Sequence, residues 1–315
     1  MNIKILDAST LGEGVDLTQF NQFGTVEIHD TTSPVEASDR VRGADVLILN
    51  KVKITEAVLE NADALKLICV AATGYDNIDT AACKARGIAV CNVAGYSTHS
   101  VAQVTLSLVL ALSIHLKEYN RFVTDGSYSE SGVANRLSPV YRELCGKTWG
   151  VVGLGNIGKQ VARVAEALGC RVLANKRTPE AGYNCVGLDT LLHESDIITV
   201  HTPLTDATRG LIGKDALSKM KPNAILVNAA RGAVLDEAAV AEALQNGTLG
   251  AFGCDVYSTE PFGKEHPFYA IKDLDNVALT PHMAWGALEA RQRCLAEIHK
   301  NITAFSNGET RNRIV

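Results

Sequence analysis

The chain of 315 residues lacks several features that would assign it to a special class of protein. It has no apolar run long enough to span a bilayer, since even residues 101–116 are interrupted by Gln103, Ser107, Ser113 and His115. Lysine and arginine are scattered rather than clustered, and the formal net charge is −5, so no basic stripe is available to neutralise phosphate backbones. The sequence therefore predicts neither a membrane protein nor a nucleic-acid-binding one.

Paired cysteines and an N-terminal leader are also missing. The eight cysteines show no C-x-x-C spacing, and several lie inside apolar runs, which is typical of buried, reduced thiols. Neither a zinc site nor a disulfide framework is indicated. The N-terminus reads directly as a strand, without a charged leader or a cleavage site. We expect a soluble, cytoplasmic protein without a bound metal.

What is present is a regular alternation of short apolar runs with helical or loop segments. Strands are predicted at residues 3–6, 46–49, 67–71 and 88–91, and again at 149–154, 171–174, 196–201, 224–229, 250–256 and 277–280. This pattern predicts an α/β protein with two Rossmann-like or flavodoxin-like domains, each built on a doubly wound parallel sheet. The chain is long enough for two such domains.

Helical segments suggest where the two domains divide. Helix-capping residues at 97–100 predict a helix that continues to Phe122, and a final helix is predicted over residues 285–306. We predict a discontinuous first domain, residues 1–99 plus 286–315, and a dinucleotide-binding domain, residues 100–285. The polar, turn-rich residues 125–145 are interpreted as an excursion that could reach a neighbouring molecule.

The most informative stretch is an apolar run at residues 148–152 that breaks into a G-x-G-x-x-G turn and then a helical pattern. Gly153 would make the tight turn, Gly155 would let a pyrophosphate approach the backbone, and Gly158 would let the helix pack closely on its strand. The start of that helix would present free N–H groups to the anion. The context of strand, turn and helix predicts dinucleotide binding.

The next strand ends in residues that bear on the choice of nucleotide. An acidic residue there would accept hydrogen bonds from the adenosine ribose, but Lys176 and Arg177 occupy the place. Two basic residues suit the 2′-phosphate of NADP(H), which is therefore favoured over NAD(H). The alternative is a solvated strand end that carries basic residues for solubility.

Several separate motifs resemble those of the D-isomer-specific 2-hydroxyacid dehydrogenases. They are residues 228–232, Asn-Ala-Ala-Arg-Gly, residues 255–261, Asp-Val-Tyr-Ser-Thr-Glu-Pro, and residues 280–282, Thr-Pro-His, together with Gly-Tyr-Asp-Asn-Ile-Asp at 74–79. Residues 96–103 look most like the glycerate dehydrogenase and hydroxypyruvate reductase branch. The resemblance implies NAD(P)-dependent reduction of a small 2-oxo acid, hydroxypyruvate or glyoxylate, to the D-2-hydroxy acid. It also implies an active site in the interdomain cleft and a homodimer formed through the nucleotide-binding domain.

Three residues match the family's catalytic set, and the chemistry explains their types. Arg231 would hold the substrate carboxylate with a guanidinium fork and polarise the ketone. His282 would donate the proton that the reduced oxygen takes up, and Glu260 would hold the imidazole in one tautomer and favour its protonated form. The plain alternatives are a surface or helix-capping arginine and a solvated glutamate. His201 is predicted to lie at a strand end near the cofactor rather than to transfer a proton.

The resemblance also implies supporting roles. Backbone amides of Thr73 and Gly74 would cap the substrate carboxylate, where glycine permits close approach. Contacts with the cofactor are implied for Thr105, Asn156, Ile157, Thr202, Pro203, Ala229 and Asp255, in addition to the three glycines and the two basic residues.

Residues 133–141 depart from the hydroxypyruvate-reducing relatives, which tend to have an aromatic, tryptophan-bearing segment there. Arg136 in this segment could supply a second cation to the substrate of a partner subunit, or be a plain surface arginine. Branched or aromatic 2-oxo acids therefore stay open as substrates. A nucleotide-sensing binding protein, like the corepressor members of the family, is the alternative of another class, because a fold alone does not determine function.

Overall fold

The computed structural model describes all of residues 1–315, and the chain divides into two compact units. Residues 1–97 and 286–315 form the first unit, and residues 98–285 form the second. In chain order the first unit contains β1 (Asn2–Ile5), β2 (Thr25–Ile28), α1 (Pro34–Arg40), β3 (Val46–Leu49), α2 (Glu56–Leu59), β4 (Leu67–Val70), α3 (Thr80–Ala85) and β5 (Ala89–Cys91).

The second unit contains α4 (Thr98–Ser113), α5 (Leu116–Thr124), α6 (Ser127–Glu130), β6 (Thr148–Val152), α7 (Asn156–Ala167), β7 (Arg171–Asn175), α8 (Leu188–Glu194), β8 (Ile197–Val200), α9 (Lys214–Ser218), β9 (Ile225–Asn228), α10 (Glu237–Gln245), β10 (Ala251–Cys254) and β11 (Val277–Leu279). The last helix, α11 (Leu288–Ser306), belongs to the first unit and packs against β4.

The first unit is a five-stranded parallel sheet in the order β2-β1-β3-β4-β5. Strands β3, β4 and β5 are buried throughout, as expected for a parallel sheet that is covered on both faces. The edge strand β2 was not predicted. Three of its four residues are exposed, so it has no continuous apolar run to mark it.

The second unit is a six-stranded parallel sheet in the order β11-β10-β9-β8-β6-β7. Alternate residues of its strands enter two separate hydrophobic clusters, so the sheet is covered on both faces. The predicted α/β class with doubly wound parallel sheets is confirmed. The order of the strands reverses between β6 and β8, the place at which ligands bind in open α/β sheets.

The prediction of one helix continuing to Phe122 was wrong. Helix α4 ends at Ser113, and α5 begins at Leu116 after a bend of 66°. His115 adopts the left-handed conformation there, with φ 54° and ψ 39°, which no regular helix accommodates. The sequence carries no glycine or proline at the break to signal it. No single helix of the chain has both the length and the apolar character of a membrane span.

Residues 125–145 include α6 and are otherwise irregular. Leu137 and Val140 are each 75% exposed. Arg136 is engaged within its own chain: its Nη2 donates to Glu118 Oε1 at 3.0 Å, its Nε donates to the carbonyl oxygen of Ser138 at 2.6 Å, and its guanidinium lies over the ring of Phe122 at 4.3 Å.

Candidate active site

The loop between β6 and α7 has a conformation that depends on its glycines. Gly153 has φ +97°, and a Cβ there would lie 2.6 Å from the backbone nitrogen of Thr202. A Cβ on Gly158 would lie 2.1 Å from the carbonyl oxygen of Gly153, so α7 packs directly on the loop. A Cβ on Gly155 would meet nothing within 4 Å. The first and third glycines thus allow close packing, and the second leaves an open approach to the backbone.

This open side suits the diphosphate of a dinucleotide. Gly155 is the N-cap of α7, a helix of 12 residues, and no side chain accepts a hydrogen bond at this cap. Asn156 and Ile157 form the first turn, whose N–H groups have no partner within a helix. Unsatisfied N–H groups and the helix dipole favour an anion at this end.

At the end of β7, two lysines converge on one carboxylate. Lys159, which directly follows Gly158, places its Nζ 2.5 Å from Glu180 Oε1, and Lys176 Nζ contacts the other oxygen of Glu180. The hydrogen bond from Lys159, and to a lesser degree the one from Lys176, holds the pKa of the Glu180 carboxyl below its usual value. Arg177 is exposed beside them. The predicted Lys176 therefore belongs to a cluster of two ammonium groups around one anion.

The residues after β8 lie against the glycine loop. The backbone N–H of His201 donates to the carbonyl oxygen of Val152 at 2.7 Å, and Thr202 and Pro203 follow. Both ring nitrogens of His201 are buried without a hydrogen-bond partner, and burial lowers the pKa of this imidazole to about 3. A ring that is neutral near neutral pH is unsuited to donating a proton.

The turn that follows β9 is held by Asn228, whose side chain is buried. Its Oδ1 accepts from the N–H of Ala230 at 3.0 Å, and its Nδ2 donates to the carbonyl oxygen of Arg231 at 2.9 Å. Ala229 lies inside this turn. Arg231 is half-buried and precedes a 3-10 turn at Gly232–Val234, and its Nη1 donates to the carbonyl oxygen of Ala230 at 2.9 Å.

Glu260 and His282 are in direct contact, with His282 Nδ1 2.6 Å from Glu260 Oε2. A carboxylate accepts a hydrogen bond from an imidazole N–H, so this contact assigns the hydrogen to Nδ1 and leaves Nε2 as the nitrogen that can take up or release a proton. The second oxygen of Glu260 accepts from the N–H of Tyr257 at 3.0 Å. The carboxylate is thus anchored at one oxygen and bound to the imidazole at the other.

The backbone of His282 is in the left-handed region, with φ 51°, which is uncommon for a residue other than glycine. The buried carboxylate of Asp255 holds the surrounding loop: Oδ1 accepts from the Thr280 hydroxyl at 2.6 Å and from the N–H of Met283 at 2.9 Å, and Oδ2 accepts from the N–H of Ala284 at 2.9 Å. Asp255 therefore fixes the loop that carries His282.

Three other predicted residues lie outside these loops. Thr73 belongs to the first unit, where its hydroxyl donates to the carbonyl oxygen of Val93 at 2.9 Å, and Gly74 follows it. Their role in substrate binding stays a prediction. Thr105 is fully buried in α4, and its hydroxyl donates to the carbonyl oxygen of Val101 at 2.8 Å, so its contact with the cofactor also stays a prediction.

The sheet of the second unit brings the predicted residues together in two groups. Arg231, Asp255 and His282 follow three neighbouring strands, β9, β10 and β11, with Glu260 in the loop after β10. The glycine loop, Lys176, Thr202 and Pro203 follow β6, β7 and β8. Because parallel strands end at one edge of a sheet, both groups share the carboxyl edge.

Three residues near these groups were not predicted. Glu180 stands close to the spacing at which a ribose-binding acid is expected, so a longer search beyond β7 would have found it. Glu237 reads as a first-turn acid of a helix, and His266 as a residue before a proline. No pattern in the sequence signals that both of these side chains are buried.

The chain is similar to known proteins of one family. The family described as D-isomer specific 2-hydroxyacid dehydrogenase, NAD binding domain, matches residues 106–284. The glycerate dehydrogenase of Methylorubrum extorquens is 40% identical over 287 residues, covering 91% of this chain and 90% of that protein. The glyoxylate reductase of Thermococcus litoralis is 40% identical over 279 residues, covering 86% and 83%.

Among solved structures, the acyclic imino acid reductase Bsp5, in complex with NADPH and D-Arg, superposes with a TM-score of 0.89. It is 29% identical, and the match covers 100% of both chains. Taken with the glycine loop and with the Arg231, Glu260 and His282 set, these matches show that the chain belongs to the D-isomer specific 2-hydroxyacid dehydrogenases, NAD(P)-dependent oxidoreductases acting on the CH–OH group of 2-hydroxy acids.

Proposed function

We propose that the chain reduces hydroxypyruvate or glyoxylate, with NADP(H) preferred over NAD(H). The observation that carries the proposal is the 2.6 Å contact between Glu260 and His282, at the same sheet edge as Arg231. The names of two relatives, a glycerate dehydrogenase and a glyoxylate reductase, support small 2-oxo acids as substrates.

The arrangement accounts for each requirement of the reaction. Arg231 binds the substrate carboxylate and polarises the neighbouring ketone, because a guanidinium presents several N–H donors in one plane. A nicotinamide cofactor bound at the glycine loop supplies the hydride. His282 gives the proton on Nε2 to the ketone oxygen, and Glu260 compensates the positive charge of the imidazolium before that transfer. In the oxidation direction His282 takes the proton back.

The preference for NADP(H) is supported by the two lysines at Glu180. Nζ atoms of Lys159 and Lys176 that bind one carboxylate would also bind one phosphate, which carries more charge and three acceptor oxygens. Arg177 lies in the same segment and adds positive charge. A ribose 2′-phosphate that reaches this place would therefore displace Glu180 from the lysines.

We also propose that two copies pair through the second unit. Large apolar side chains are exposed along α5 and the following segment, namely Leu116, Val123, Val133, Leu137 and Val140. Exposed apolar surface of this kind favours association. Light scattering should give a dimer mass for the wild type and a monomer mass for the double variant Leu137→Asp, Val140→Asp. Val35→Asp is the control, because Val35 is even more exposed than Leu137 and Val140 but lies in the first unit.

The function is tested by following nicotinamide absorbance with NADPH and NADH against hydroxypyruvate, glyoxylate, pyruvate, 2-oxoisocaproate and phenylpyruvate. We expect kcat/KM to be highest for the first two acids and higher with NADPH than with NADH. Preference for a branched or aromatic acid would contradict the substrate, and preference for NADH would contradict the cofactor. Absence of turnover with every acid would favour a binding protein on the same fold.

A further inference from the structure

A buried carboxylate that the reaction does not use lies behind the catalytic residues. Glu237 begins α10, yet its side chain is only 7% exposed. Its Oε1 accepts from the N–H of Ser258 at 2.8 Å, and its Oε2 accepts from the hydroxyl of Ser258 and is 2.9 Å from His266 Nε2. Three donors from two other segments thus converge on one carboxylate.

His266 is held in a single tautomer. Its Nδ1 accepts from the backbone N–H of Phe268 at 3.2 Å, so the ring hydrogen lies on Nε2 and is donated to Glu237. The ring stacks on Phe262 at 4.9 Å between centroids and packs edge-on against Phe268 at 5.1 Å. The imidazole is therefore a fixed donor that holds the Glu237 carboxylate in place.

The hydrogen bonds between Glu237 and Ser258 connect this cluster to the loop after β10 that carries Glu260. Tyr257 and Ser258 donate consecutive N–H groups to two different carboxylates, Tyr257 to Glu260 at 3.0 Å and Ser258 to Glu237 at 2.8 Å. The Tyr257 N–H belongs to the preceding peptide unit, so the two hydrogen bonds flank the Cα of Tyr257, and the Tyr257–Ser258 peptide that Glu237 holds directly adjoins the unit that anchors Glu260 Oε1.

The same peptide lies against the segment that carries Arg231. A Cβ on Gly232 would be 2.0 Å from the carbonyl carbon of Tyr257 and 2.1 Å from the nitrogen of Ser258. The backbone immediately after Arg231 is therefore in direct contact with the peptide that Glu237 holds, and a displacement of that peptide moves both neighbours.

We propose that Glu237, held by His266, is a positioning residue that aligns Arg231 and Glu260 with each other through the Tyr257–Ser258 peptide. The inference rests on the proposed roles of Arg231 and Glu260 in 2-oxo acid reduction. Since Arg231 binds substrate and Glu260 acts through His282, loss of the alignment raises KM and lowers kcat together. Binding of the dinucleotide at the glycine loop is unaffected, because that loop follows β6, which β8 separates from β9 in the sheet.

The test compares Glu237→Gln with Glu242→Gln. Both remove a carboxylate from α10, but Glu242 is exposed and pairs with Lys214. A glutamine at 237 cannot accept from all three donors, so one buried donor is left unpaired, and we expect KM for the preferred 2-oxo acid to rise and kcat to fall by about tenfold each. The NADPH dissociation constant, from quenching of protein fluorescence, should stay within about twofold. Glu242→Gln should match the wild type in all three quantities.

A second variant separates positioning from loss of fold. Ser258→Ala removes one donor but keeps the N–H bond to Glu237, so it should retain wild-type KM and lose no more than about threefold in kcat. Unchanged KM in Glu237→Gln, with kcat falling only as the folded fraction falls, would overturn the inference and leave Glu237 a structural residue. Failure of the wild type to reduce any 2-oxo acid would instead contradict the proposed function.

Discussion

Gly158 lies so close to Gly153 that a Cβ on the first would sit 2.1 Å from the carbonyl oxygen of the second. Non-bonded carbon and oxygen atoms do not approach so closely. With any side chain at residue 158, α7 could therefore pack on the loop only if the backbone shifted. Gly155, two positions beyond Gly153, has no such neighbour. The three glycines of one motif thus serve different purposes, which substitution can separate.

Gly158→Ala should destabilise the protein, whereas Gly155→Ala should destabilise it less, only by the preference of an N-cap position for glycine over alanine. We expect the first variant to lower the free energy of unfolding by about 1–3 kcal/mol, the usual cost of overpacking, as measured by urea denaturation. The second should weaken NADPH binding by about tenfold, because its methyl group occupies the approach to the backbone. Equal stability of the two variants would contradict the packing role of Gly158.

Arg231→Ala and His282→Ala should each lower kcat/KM by about a thousandfold or more, since general acid catalysis and polarisation of the ketone each contribute on this scale. The dissociation constant for NADPH should be retained in both, because neither side chain lies at the glycine loop. Steady-state kinetics and fluorescence titration measure the two quantities. Near-normal turnover in both variants would contradict the assigned site.

Glu180→Gln should favour NADPH. The neutral side chain releases Lys159 and Lys176 for the 2′-phosphate, so we expect KM for NADPH to fall by about threefold to tenfold while KM for NADH changes little. Lys176→Met should raise KM for NADPH by a similar factor. Lys214→Met is the control, since Lys214 pairs with Glu242 on the surface of α10. A parallel change with both nucleotides would argue against a phosphate site at these lysines.

His201 should make the protein sensitive to mild acid. Its pKa is lowered from the ordinary 6.5 to about 3 by burial, so below pH 6.5 the unfolded chain binds a proton that the folded chain does not. Above pH 6.5 this difference costs the folded protein nothing. As the pH falls from 6.5 towards 3, protonation of the unfolded chain lowers the free energy of unfolding, by about 2 kcal/mol at pH 5.

Urea denaturation of His201→Leu should therefore show a smaller loss of stability between pH 7 and pH 5 than the wild type. His193→Leu provides the control, because His193 is exposed at the end of α8. Identical pH dependence in the wild type and His201→Leu would show that the ring takes up a proton as readily in the folded protein as in the unfolded chain.

The sequence predicts those parts of the fold that are buried on both faces. Strands such as β3 and β4 are continuous apolar runs, and turns and helices separate the strands along the chain. Strand β2 could not be predicted because it is mostly exposed and pairs only with β1. The end of α4 was missed because His115 takes a left-handed conformation within a pattern that is otherwise helical, with no glycine or proline to signal it.

For the site, motifs identify the residues but not the bonds between them. Arg231, Glu260 and His282 could be named because their neighbours in the chain resemble a family. The attachment of Asp255 to the loop of His282, and of Glu237 to Ser258, joins segments that are far apart in sequence. Such pairings depend on which strands are neighbours in the sheet, and the order of the strands cannot be derived from the local pattern of a single sequence.

The strand order β11-β10-β9-β8-β6-β7 places two sets of residues on different halves of the sheet. The loops after β9, β10 and β11 carry the proposed catalytic residues Arg231, Glu260 and His282, while the segments after β6, β7 and β8 carry the glycine motif with Lys159, Lys176 and Thr202. Mutations that exchange one nucleotide for another and mutations that alter the chemistry therefore fall on different strands. Evolution or protein engineering can therefore change the preference between NADH and NADPH without altering Arg231, Glu260 or His282.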